Sequence, residues 1–204
     1  MRKPRRYCPG VSGDICSICC GTERENTVRC PFDCVYLREA RLHERTGEGF
    51  DINNPPHPDI RIRDEFLAEK AEQIDVIASI LARAALMEPG AVDNDVRDAL
   101  EALVRTYRTL QSGLYYDTRP ENATAARVCD NFQTGIEAFR REAQQEGASA
   151  PTDSEMLTMI AFLQRVEMDR NNGRGLGRAF LDFLRTRTGA DAEGPATPSL
   201  ILPA

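Results

Sequence analysis

Histidine is nearly missing from this chain. Its 204 residues hold two, His43 and His57, so residues 58–204 have none. That removes the Glu-x-x-His ligand sets of di-iron helical bundles, and any histidine-based triad, from most of the sequence. No apolar run approaches the roughly 20 residues that span a bilayer. The N-terminal Met1-Arg2-Lys3-Pro4-Arg5-Arg6 is basic, but no apolar segment follows, so a secretory signal is not expected. No period-two alternation is long enough for a sheet of any size, and no repeat recurs. The expected setting is the cytoplasm, without a membrane contact. Thiols stay reduced there, and clustered cysteines are better read as metal ligands than as disulfides.

Strong net charge is also lacking on the side where it would matter. The total is −6. Residues 1–48 sum to +2 and the rest to −8, and thiolates would offset most of the positive part. Bulk electrostatics therefore give nucleic acid a weak case, limited to the basic tip at residues 2–6. A composition of 41% hydrophobic and 28% charged residues suits a folded chain rather than a disordered one.

What the chain does have is cysteine in one place. Six of seven lie between positions 8 and 34: Cys8, Cys16, Cys19, Cys20, Cys30 and Cys34. Packing alone hardly explains such a density. Cys16-Ser17-Ile18-Cys19-Cys20-Gly21 has knuckle spacing, with two sulfurs able to reach one ion and a glycine to turn the backbone. Asn26 to Arg29 reads as a short extended piece. Cys30-Pro31-Phe32-Asp33-Cys34 then leads into a helix through Val35 to Leu42, with Cys34 in its first turn. Knuckle, hairpin and ligand-bearing helix make a treble-clef-like expectation. Zinc is the expected ion, held by Cys16, Cys30, Cys34 and one of Cys19 and Cys20. Cys8, with His43, offers a second or shared site; the plainer reading of His43 is an exposed helix residue. An iron–sulfur cluster is the rival cofactor, because it also takes four thiolates. A closed thiolate site leaves no open position for substrate, so no catalysis is expected from it.

The remainder reads as helices. Residues 1–45 form the cysteine module. Residues 46–60, with Pro55, Pro56 and Pro58, form a linker in which His57 is expected to be exposed. Residues 61–187 carry amphipathic stripes for a bundle of four or five helices. The first stripe runs Phe66/Leu67 to Ala84/Ala85 and stops at Pro89-Gly90. The second opens near Asp93 with Val96, Leu100, Leu103, Tyr107, Leu110 and Leu114. The third starts at Pro120 and faces Ala125, Val128/Cys129, Phe132, Ile136 and Phe139 inward; Cys129 there is expected to be a small buried hydrophobe. The fourth follows the capping box Thr152-Asp153-Ser154-Glu155, and a short fifth carries Phe180, Leu181 and Leu184. Tyr115-Tyr116 is expected to cover a bundle end. Residues 188–204 are expected to be a disordered tail.

One loop stands apart. Asn171-Asn172-Gly173-Arg174-Gly175-Leu176-Gly177-Arg178 combines glycines, a following helix start and the guanidinium groups of Arg174 and Arg178, which is the equipment of an anion-binding turn. No strand precedes it, so it matches neither phosphate-loop nor dinucleotide patterns. The plainer reading is a helix–helix turn whose arginines pair with the acidic bundle.

The run Cys8-Pro9-Gly10, Ile15 to Arg24 and Cys30-Pro31-Phe32-Asp33-Cys34-Val35-Tyr36-Leu37 resembles a family of bacterial proteins of about this length with no assigned activity. Thr109 to Tyr116 and Asn172 to Phe180 are similar to it too. The resemblance implies a cysteine block joined to a helical remainder and implies no reaction. The expected role is a non-enzymatic binding or adaptor protein with a structural metal and a protein partner. The alternatives are an iron–sulfur redox or sensor protein and a nucleic-acid-associated regulator.

Overall fold

The computed structural model describes residues 5–44, 46, 50–51, 53–113 and 116–189. The expected tail beyond Gly189, the Leu114–Tyr115 pair and residues 2–4 of the basic tip lie outside these. The architecture is mainly helical. An antiparallel hairpin comes first, β1 (Arg5–Cys8) and β2 (Gly13–Cys16), in register Arg5 to Cys16 and Cys8 to Gly13. Two short helices follow, α1 (Ser17–Glu23) and α2 (Val35–Arg41). The bundle is α3 (Asp64–Glu69), α4 (Ala71–Leu86), α5 (Asp93–Gln111), α6 (Ala123–Gln145), α7 (Asp153–Arg170) and α8 (Ala179–Thr188).

The stripes are buried where the periodicity puts them. Ile74, Ile77, Ala78, Leu81, Ala84 and Ala85 of α4 meet Val96, Leu100, Leu103 and Tyr107 of α5 in one core with Val128, Phe132 and Ile136 of α6. Helix α7 is buried almost all round, through Met156, Leu157, Met159, Ile160 and Leu163, and packs against α5. Each fully buried side chain of this kind contributes about 1.5–3 kcal/mol. Thr152 caps α7 by the expected box: its Oγ1 accepts the Glu155 N–H at 3.3 Å, and Glu155 Oε2 accepts the Thr152 N–H at 2.8 Å. Helices α4 and α6 approach closely at Gly135, where a Cβ would land on Ile80 Cγ2. Cys129 is buried, and burial pushes its thiol up to about 12, so it packs as a small hydrophobe.

Three local expectations differ. The first stripe is two helices, because Lys70 leaves helical geometry between α3 and α4; its ammonium reaches Glu155 at 2.7 Å. The third helix starts at Ala123 rather than Pro120, because Asn122 takes the cap and accepts from Thr124 and Ala125 N–H. His57 is not exposed. Its Nε2 lies 2.8 Å from Glu101 Oε2, and Arg165 donates to the His57 and Ile60 carbonyls, so the proline-rich stretch is pinned onto α5 and α7.

Candidate functional site

Cys16 ends β2 and caps α1. Its Sγ accepts the Cys19 N–H at 3.1 Å, and the two sulfurs lie 2.8 Å apart. Three residues of α1 bring Cys19 back over the cap, as knuckle spacing demands, while the adjacent Cys20 departs in another direction and is buried. Cys8 and Cys30 are buried with Val28 and Leu37, and Cys34, at the N-terminus of α2, packs against them. Burial pushes the Cys30 thiol up, the Glu25 N–H opposes this, and Glu25, Cys34 and Cys8 add to the rise. The cysteines thus fall into a Cys16/Cys19 pair and a Cys8/Cys30/Cys34 neighbourhood. Cys8 and Cys16 sit at opposite ends of the hairpin, three residues or roughly 10 Å apart along the strand direction.

Donor type therefore fits zinc, since thiolates are its usual structural ligands. Convergence is another matter: among the described residues no three His, Cys, Asp or Glu side chains come together closely enough to hold an ion. Helix α2 ends at Arg41, and His43 lies beyond it, exposed.

The glycine-rich turn is the better-built part, and it holds a carboxylate of the chain itself. Glu25 is fully buried at a left-handed φ of 53°. Its Oε1 accepts from Arg41 Nη2 at 2.8 Å and from the Arg178 N–H at 3.1 Å; its Oε2 accepts from Asn172 Nδ2 at 2.9 Å. Its carbonyl accepts the Leu176 N–H at 2.7 Å. Arg41 also pairs with Asp182 on α8. Arg174 donates to Glu44 at 3.0 Å and to the Arg24 carbonyl at 2.7 Å. The turn's polar groups thereby clamp the cysteine module to the bundle. Arg178 places its guanidinium 3.7 Å from the Phe32 ring centroid, a cation–π contact, and Phe32 touches the bundle core. Burial pushes the Arg178 pKa down against the pull of Asp93 and Glu25. Asp93 accepts the Phe180 and Leu181 N–H groups, both at 3.0 Å, and so caps α8 from α5. Burial raises its carboxyl to about 7 despite those bonds.

The sequence marked Arg174 and Arg178 but missed Glu25, Arg41, Phe32 and Asp93. Glu25 sits between Arg24 and Asn26 and reads like a surface residue. The one available signal was the turn itself, which needs an anion from somewhere.

No family model, no curated protein and no solved structure matches this chain.

Proposed function

We propose that this is a non-enzymatic cytoplasmic binding protein in which a structural zinc ion stiffens a treble-clef-like cysteine module, displayed by the bundle to a protein partner. The observation that carries the reading is the Cys16–Cys19 sulfur pair, with the Cys19 amide aimed at the Cys16 sulfur. Cys16 and Cys19 would supply two ligands; Cys30 and Cys34 are the further ligands expected, with Cys8 and Cys20 as the remaining thiols. A closed thiolate site contributes folding energy and no reaction. A partner of protein character is favoured by exposed apolar side chains on the module: Tyr7, Val11, Ile18, Val35 and Leu42.

Elemental analysis and thiol titration of the purified full chain test this. At least one zinc per chain, with thiols that become reactive on chelation, is expected. Iron with a visible chromophore would replace zinc by an iron–sulfur cluster. No metal, with all six module thiols titrating freely, would end the metal reading.

A further inference from the structure

Between the module and the bundle lies a pocket of about 340 Å³, lined among others by Pro9, Arg29, Pro31, Val92, Leu176 and Arg178. Arg178 is the notable member. Among the described residues no carboxylate or carbonyl accepts from its guanidinium, and its buried Nε has no partner. Its neighbours differ: Arg41 pairs with Glu25 and Asp182, Arg174 with Glu44, and Arg185 with Asp182. The two nearby carboxylates are also engaged elsewhere, Glu25 by Arg41, Asn172 and the Arg178 amide, and Asp93 by two N–H groups of α8. The start of α8 is therefore filled, and the helix end is not the site. What remains open is a guanidinium edge, its face fixed on Phe32, at the wall of a cavity. Arg29 also lines that cavity, held by one bond from Nη1 to the Gly90 carbonyl at 2.7 Å.

We propose that this pocket binds a phosphate group, with Arg178 and Arg29 as its two cationic partners. Two guanidinium forks match a dianionic tetrahedral group in charge and in paired N–H geometry. The volume exceeds that of the bare ion, and Pro9, Pro31, Val92 and Leu176 give the excess an apolar lining, so the ligand class is a small phosphomonoester.

Titration calorimetry of the full chain with inorganic phosphate, and separately with phenyl phosphate, tests this at constant ionic strength. Both probes should bind, phenyl phosphate more tightly if the apolar lining takes the organic part. Arg178→Gln and Arg29→Gln should each weaken binding by about tenfold or more, the scale of one charge-assisted contact. Arg187→Gln, outside the pocket and paired with Asp75, should bind as the parent does. Arg29 is exposed, so Arg29→Gln keeps the test decisive if Arg178→Gln fails to fold. Absence of heat with both probes, or equal affinity in the parent and Arg29→Gln, overturns the proposal. Inorganic phosphate bound as tightly as phenyl phosphate overturns the phosphomonoester assignment.

Discussion

The bundle buries a continuous apolar core drawn from α4 to α8, whereas among the described residues the cysteine module gathers a small core of Cys8, Val28, Cys30 and Leu37. The first is a set of stripes that find one another by the hydrophobic effect. The second is too small for that, and segments of its size need staples. Two are at hand. One is the thiol set, through the proposed metal. The other is Glu25, which ties the module to the turn before α8 by two side-chain hydrogen bonds, from Asn172 and the Arg178 N–H, and by one that its carbonyl accepts from Leu176. Substitutions in the two regions should therefore fail in different ways.

The largest effect is expected at Glu25. Glu25→Ala leaves the part-buried Arg178 amide without its acceptor and takes one of two acceptors from Arg41, which keeps Asp182, and from Asn172, which keeps Glu44. Breaking one side of such a pair costs about 3–5 kcal/mol. The midpoint of urea unfolding should fall accordingly, with loss at the module preceding loss of helicity. A change below about 1 kcal/mol would show that the module is not held there.

A second test is the pH dependence set by Asp93. Its folded-state pKa of about 7 is above the ordinary carboxyl value of 3.8. The folded protein therefore holds this proton more tightly than the unfolded chain. The associated stability is fully present below about pH 4 and is lost as pH rises through about 7. Asp93→Asn can still accept one α8 N–H but cannot ionise. The difference in melting temperature between parent and variant should thus move in the variant's favour from pH 4 to pH 8. A constant difference would contradict this. Glu155, held down to about 2 by Lys70 and by the Thr152 N–H, acts in the opposite direction but at lower pH.

The smallest effect is expected in the bundle at Gly135. Alanine should gain up to about 1 kcal/mol of helix propensity. Overpacking against Ile80 costs about 1–3 kcal/mol. A net loss of about 1 kcal/mol by chemical denaturation is expected, with the module's thiol reactivity unchanged. A stabilised variant would mean that α4 and α6 can separate freely.

The same contrast explains what could be read from the sequence. The α5 and α7 stripes and the Thr152 cap were legible because period and capping chemistry are local. The break at Lys70 was not, since Lys70 is a fair helix former and its partner Glu155 is far along the chain. Knuckle spacing correctly put Cys16 beside Cys19, because one helical turn fixes that distance. It said nothing of Cys8 against Cys16, which the hairpin register sets apart. Glu25 was invisible for the same reason: all its side-chain partners come from α2 and residues 172–178, and nothing near it in sequence announces burial. Arg174 and Arg178 were marked as a pair, yet tertiary contacts give them different roles, one bound to Glu44 and the other facing a pocket.

Hydrogen exchange of the full chain, with and without a strong chelator, tests most directly whether the two regions are stabilised by different means. On chelation the amides of β1, β2, α1 and α2 are expected to lose protection, while those of α5 and α7 keep theirs. Unchanged protection in the module would contradict a metal staple, and a loss spread equally over module and bundle would contradict the division itself.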